Sequence, residues 1–403
     1  MSRTGSKIGP GVLVTAAFVG PGTVTTSTLA GANFGYALIW VLVFATLATV
    51  VLQEMSARLG LVTGRGLGEN LALLLDNSVL RWPLILLVGV ALYLGNAAYE
   101  AGNLSGAALG IEAIVGERAW VFEIAIAMIA LLAGAILLTG SYPLIERALM
   151  LLVAMMVLSF FATFVFVGPD LGAMAAGLFR PSIPEGSLLT VLALIGTTIV
   201  PYNLFLHASA VRRKWSDPEH LSEVRADTAI SIGIGGLIAI LIVATAAASL
   251  FSAGLSVTNA ADMAGQLEPL FGPFAKIMLG LGLFAAGLTS AITAPLATGY
   301  AVTEVIGWQR EQTGRAFRLI ALSVLLVGVG LSLAGVRPIE VILAAQFANG
   351  LLLPIIAGFL LYAMNQTELL KTHTNRWLAN CAGGIVVLVT VGLGFRLIFN
   401  TLS

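Results

Sequence analysis

Residues 19–26 read Val19-Gly20-Pro21-Gly22-Thr23-Val24-Thr25-Thr26, in the middle of the first long apolar run of the chain. Proline offers no N–H to the preceding turn and glycine tolerates unwound backbone, so a helix crossing this stretch is expected to break there. The stretch carries hydroxyls and no charge. A second interruption of the same kind, Val200-Pro201-Tyr202-Asn203, lies in another apolar run.

Composition says what surrounds these breaks. The 403 residues are 58% hydrophobic and 10% charged, against about 25% charged in a soluble domain. The chain reads as an all-α polytopic membrane protein. A helix needs about 20 apolar residues to cross the hydrocarbon core. Eleven such spans follow: 8–33, 38–59, 83–111, 119–139, 147–168, 187–211, 227–252, 275–307, 316–335, 338–363 and 376–399. With the N-terminus inside, only Arg118, Arg180, Lys276, Arg337 and Arg396 of the 20 basic residues fall outside. The other fifteen, Arg3, Lys7 and Arg310 among them, fall inside, and the positive-inside rule gives N-in and C-out. The segment 212–226, RRKWSDPEHLSEVRA, reads as a solvated connector on the inner side.

Other classes drop out. Twenty basic residues balance twenty acidic ones, which leaves no basic footprint for nucleic acid. The single cysteine, Cys381, rules out a disulfide framework and a cysteine metal cluster. The opening MSRTGSKIGPG lacks a small-residue cleavage site and reads as leading into a retained first helix. No nucleotide-binding motif and no cofactor site are read, so the expectation is a gradient-driven transporter rather than an enzyme. Its partners would be the bilayer and a small-molecule or ion substrate.

The breaks fall in spans one and six. These open the two halves of a five-plus-five arrangement, with span eleven left over. Interrupted helices at matching positions point to an inverted-repeat transporter with its site at the midplane. One membrane domain, 1–403, would then hold a first repeat of about 8–168, a second of about 187–363 and an extra helix of about 376–399. Half-helix N-termini offer free N–H groups and half-helix C-termini offer carbonyls.

In the third span, Asn96, Glu100 and Asn103 follow i, i+4, i+7 spacing, with Tyr93 close to the same stripe. An ionisable residue at that depth is a functional expectation by default. Glu100 is expected to carry a coupling proton or to serve as counter-charge for a cationic substrate. A buried acid held by Asn neighbours for structure is the alternative.

Five stretches carry a resemblance: GPGVLVTAAFVGPGTVTTSTLAGANFGYALIW (9–40), LQEMSARLGLVTGRGLGEN (52–70), VPYNLFLHASAV (200–211), AAGLTSAITAPLATGY (285–300) and AAQFANGLLLP (344–354). Together they resemble the Nramp family of proton-coupled divalent-metal transporters. The resemblance implies a LeuT-like fold, a bacterial inner-membrane location and a substrate held between the breaks of helices one and six. The family's first break is Asp-Pro-Gly-Asn, whose Asp and Asn ligate metal. Here Gly20 stands for the Asp, Gly22 is kept, and Thr23 stands for the Asn. The sixth-helix break, Met-Pro-His-Asn in the family, becomes Val200-Pro201-Tyr202-Asn203. The family's carbonyl ligand maps to Thr197. The helix-three pattern Asp-Leu-Ala-Glu aligns with Glu100-Ala101-Gly102-Asn103, which keeps one carboxylate and turns the second into an amide. Gln346 matches a family Gln near the ion, with Asn349 one turn on. His207 matches a family His and is expected to serve in proton exit or in packing. A bound metal would rest on the backbone of Gly20 and Thr197 with Thr23.

Such a site has lost its sulfur, and soft transition metals favour nitrogen and sulfur. Hydroxyls, amides and carbonyls suit an ion that keeps part of its water, as Mg²⁺ does. The alternative is a small organic solute, an amino acid or amine, with a carboxylate seated on a half-helix N-terminus.

Overall fold

The computed structural model describes residues 9–76, 79, 81–139, 143–215, 217–307 and 314–402. Arg3, Lys7 and Arg310 lie outside them. The apolar runs fold as helices, because lipid offers no partner to an open backbone. In chain order they are α1 (Pro10–Phe18), α2 (Pro21–Phe34), α3 (Ile39–Thr63), α4 (Leu67–Leu74), α5 (Arg81–Val115) and α6 (Ala119–Thr139). Then come α7 (Pro143–Val167), α8 (Leu171–Phe179), α9 (Leu188–Thr198), α10 (Pro201–Lys214), α11 (Leu221–Ala246) and α12 (Ala260–Ala264). The last are α13 (Glu268–Phe271), α14 (Ala275–Ile306), α15 (Arg315–Ser332), α16 (Pro338–Met364), α17 (Thr367–Leu370) and α18 (Trp377–Leu402). Among the described residues 10 spans are long and apolar enough to cross a membrane, with α9 and α10 forming one of them. The pair α1 and α2, bent by 55° at its break, brings the number to 11, as the hydropathy pattern predicts.

Hydropathy marks the hydrocarbon and not the helix, and the differences follow from that. α11 begins at Leu221 rather than near 227, because its polar first turns continue the helix past the apolar run. The connector 212–226 is largely helical: α10 runs to Lys214 and a 3₁₀ turn covers Pro218–His220. The outer segments hold short capped helices. Asp170 accepts a hydrogen bond from the Ala173 N–H at the start of α8, and Asn259 and Asp262 cap each other's backbone at α12.

The broken helices occupy the centre of the bundle. α1 packs on α11 and α10, while α2 lies among α9, α11 and α16. The long α5 braces the site, packed on α14, α15 and α16. It approaches α14 backbone to backbone at Gly110 and Gly280, where a Cβ on either would sit 2.5 Å from the other's carbonyl oxygen.

Charged side chains on the side assigned to the inside gather into two clusters. Arg212 on α10 pairs with Glu69 on α4 at 2.6 Å and with Glu304 on α14 at 3.4 Å, and Ser209 donates to Glu304 at 2.7 Å. Glu54 on α3 accepts from Arg58 at 3.1 Å and from Arg225 on α11 at 2.8 Å. Arg58 also reaches Asn375 and the His373 carbonyl, each at 2.7 Å. Arg58 and Glu69, both within the stretch 52–70, therefore serve different clusters.

Candidate functional site at the paired breaks

The two breaks are built from the same parts in the same order, although only the pair α1 and α2 bends by more than 40°. α1 ends at Val19 (φ −76°, ψ 67°) and α9 ends at Ile199 (φ −100°, ψ 78°). Each is followed by one extended residue, Gly20 (φ −112°, ψ −170°) or Val200 (φ −82°, ψ 119°). Pro21 and Pro201 then open α2 and α10 at the position where a missing N–H is no loss. The amides of Val19 and Ile199 close back on Thr15 and Ile195 at 2.9 and 2.8 Å.

Carbonyls in the last turn of a helix lack amide partners further along it, and at α1 other elements supply them. Phe18 O accepts the Gly20 N–H at 2.8 Å and the Thr23 hydroxyl. Ala17 O receives two phenols at long range, Tyr99 at 3.4 Å and Tyr202 at 3.5 Å, whose rings meet edge to face at 5.6 Å. Asn203 Nδ2 reaches Val14 O at 3.5 Å and leaves its Oδ1 without a partner. Across the site the hydroxyls of Thr23 and Thr197 lie 2.9 Å apart, one from each broken helix. The Thr197 carbonyl belongs to the last turn of α9. Val200 places its side chain in an apolar cluster with Val14, Phe18 and Val19, so what it presents to the break is backbone.

Gln346 closes the site from α16. Both of its amide atoms are buried without a partner, and a Cβ on Gly22 would land on that amide. Gly196 on α9 meets the Gln346 backbone carbonyl just as closely. These two glycines let three helices converge. Asn349 sits one turn on, near Gly95 of α5, with its Nδ2 unpartnered.

The polar stripe of α5 is directed elsewhere. Asn96 donates to Thr298 on α14 at 2.7 Å, and Tyr93 to Ser323 on α15 at 2.9 Å. Glu100 is fully buried, with its Cγ against Gly328 of α15. Asn103 donates to Glu100 Oε2 at 3.3 Å, while Oε1 is unpartnered. The residue before Glu100, Tyr99, does reach the break, where its phenol meets Ala17 O. His207 stands lower on α10, with Nδ1 3.0 Å from Gln53 Oε1 and Nε2 unpartnered.

The break residues and Gln346, expected together from the sequence, lie together. Tyr99 and Ser290 join them without a motif of their own: Tyr99 is one aromatic residue beside a carboxylate, and Ser290 is one hydroxyl among several on α14. Among the described residues no three His, Cys, Asp or Glu side chains gather to hold a metal ion. The groups at the break are hydroxyls, amides and carbonyls, able to contact a cation directly or through its water.

Two helices broken alike at the centre of an eleven-span bundle define a LeuT-fold membrane transporter. The comparisons agree on the architecture. A manganese transporter of Eremococcus coleocola, solved in complex with an aromatic bis-isothiourea substituted compound, superposes with a TM-score of 0.75 at 20% identity. That match covers 96% of this chain and 84% of the other. MhsT in complex with L-phenylalanine superposes at 0.67 and 17% identity, over 98% of this chain and 99% of its own. In sequence, the divalent metal cation transporter MntH of Pectobacterium carotovorum subsp. carotovorum (strain PC1) is 28% identical over 416 residues, covering 100% of this chain and 97% of the relative. The model of the natural resistance-associated macrophage protein-like family, Nramp, matches residues 11–400, and the chain belongs to that family.

Proposed function

We propose that this protein is a secondary transporter that imports a divalent metal cation, held partly hydrated between the two breaks, by alternating access across a bacterial inner membrane. The observation that carries this reading is the Thr23–Thr197 contact, which puts one neutral oxygen from each broken helix at a single point. The full-length likeness to a protein named a divalent metal cation transporter supports a metal over an organic solute. Stripping a divalent ion of all its water without a carboxylate in contact is hard to offset, because desolvating charge is costly. Neutral oxygens answer this by holding the ion through part of its shell, the mode Mg²⁺ favours. Thr23, Thr197, Tyr202, Asn203, Gln346 and Asn349 are the side chains for that task, with the backbone of Gly20, Gly22 and Val200 completing the frame. Glu100 with Asn103, and His207 below the break, are the groups for proton linkage. The two repeats, about 8–168 and 187–363, would tilt against each other around this point.

Uptake by the purified protein in liposomes, read with a divalent-cation indicator inside, tests the reading. Saturable Mg²⁺ or Mn²⁺ uptake is expected. Uptake of a labelled amino acid or amine, with no divalent cation entering, would put the organic-solute reading in its place.

A further inference from the structure

The hydroxyls of α14 divide into two kinds. Thr289, Thr293, Thr298 and Thr303 each donate to the carbonyl four residues back, at 2.8, 3.1, 2.7 and 2.6 Å. This back-bonding is the ordinary resting place of a hydroxyl inside a helix. Ser290 makes no such bond among the described residues, although it is 1% exposed. It points at the first break. A Cβ built on Gly20 would lie 3.1 Å from Ser290 Oγ and 4.0 Å from Tyr99 Oη. Among the described residues, and apart from the glycine's own chain neighbours, no other heavy atom comes within 4 Å of that point. The space beside Gly20 is therefore walled by two hydroxyl oxygens and by no apolar side chain.

Unlike its back-bonded neighbours Thr289 and Thr293, the Ser290 hydroxyl is left available to a group in the break. Resting on the reading above, we propose that Ser290 is a substrate-contacting residue, and that with Tyr99 it forms a second neutral wall of the cation site. Ser290 accepts a hydrogen bond from a coordinated water, or faces the ion directly, beside Gly20. Each wall comes from a helix other than the broken pair: α14 supplies Ser290 and α5 supplies Tyr99. A hard divalent cation carrying part of its water is the substrate class such donors select.

Calorimetric titration of the purified full chain with MgCl₂ and MnCl₂ tests this. Ser290→Ala is expected to raise the Kd of whichever cation the wild type binds by roughly tenfold, the equivalent of about 1.4 kcal/mol. Thr289→Ala, whose hydroxyl is back-bonded one residue away, should change it less than about twofold, or roughly 0.4 kcal/mol. Gly20→Ala probes the same space from the other side. Its extended backbone accepts alanine without strain, and the new methyl faces Ser290, so it should weaken binding as well. Should Ser290→Ala not fold, the loss in Gly20→Ala decides the matter. Wild-type affinity in Ser290→Ala or, failing its expression, in Gly20→Ala overturns the inference and leaves the cation reading intact. A wild type that binds neither cation removes that reading and the inference with it.

Discussion

The hydroxyls of Thr23 and Thr197 meet at 2.9 Å across the centre of the protein, tying the start of α2 to the end of α9. Thr23 also donates to Phe18 O, so one side chain bridges both broken helices. Replacing it with valine keeps the shape and removes both contacts. Thr23→Val should lower stability by about 1–2 kcal/mol, seen as a lower melting temperature, and should weaken cation binding more than melting alone explains. Unchanged binding would separate Thr23 from the site.

Gly22 and Gly196 both face Gln346, but they face different parts of it. A Cβ on Gly22 meets the end of a flexible side chain, whereas one on Gly196 meets the Gln346 backbone carbonyl. Gly22→Ala should displace the amide, leaving a folded protein with impaired transport. Gly196→Ala should cost about 1–3 kcal/mol or more, the usual range for overpacking. Thermal melting and uptake measured together on both variants check the contrast.

The inner end of α1 is tied to α11 by Asp227, whose Oδ2 accepts the Gly11 N–H at 2.7 Å. A carboxylate at a helix N-terminus is favourable, and Asp227 thereby anchors the nine-residue α1 at the end away from the break. Asp227→Ala should release α1 and raise the reactivity of a cysteine placed on its buried face toward reagents added from the inner side. Asp227→Asn, which retains an acceptor oxygen, should lie between. Equal reactivity in all three proteins would show that Asp227 does not hold α1.

Arg212 serves Glu69 and the nearly buried Glu304 at once. Removing it leaves two carboxylates facing one another without a cation. Arg212→Ala should destabilise the protein by up to about 3 kcal/mol, the lower end of the cost of breaking a buried pair. Arg212→Ala combined with Glu304→Gln should recover part of that loss. Denaturation of the single and double variants measures it.

Glu100 is buried, with its Cγ against Gly328 of α15 and Asn103 as its hydrogen-bond donor. That position suits a proton-linked role better than direct contact with substrate. Glu100→Gln should leave cation affinity near wild type and flatten the pH dependence of uptake. An unaltered pH profile would reduce Glu100 to a structural residue.

Much of this was legible in the chain. Proline and glycine in apolar runs act through local backbone geometry, so the breaks at 19–22 and 199–202 could be read directly. The eleven spans follow from length and hydropathy in the same way. The directions of side chains across the bundle could not. Asn96, Glu100 and Asn103 share a stripe of α5, yet that stripe looks to α14 and α15, because helix rotation is set by close approaches such as Gly110 on Gly280. Ser290 and Tyr99 become visible only once Gly20 is seen to lack a Cβ facing them. Arg212, read as part of a solvated connector, belongs to α10 and to an ion-pair cluster, since a helix can outrun its apolar run.

On the proposed reading, the two breaks form a neutral site for a partly hydrated divalent cation. Calorimetric titration of the purified wild type with Mg²⁺, Mn²⁺, and a panel of amino acids and amines tests it most directly. Specific binding of Mg²⁺ and Mn²⁺ in the millimolar range is expected, without strong preference for Mn²⁺, and no binding of the organic solutes. Micromolar Mn²⁺ binding that excludes Mg²⁺, or binding of an amino acid or amine with no response to millimolar metal, would contradict it.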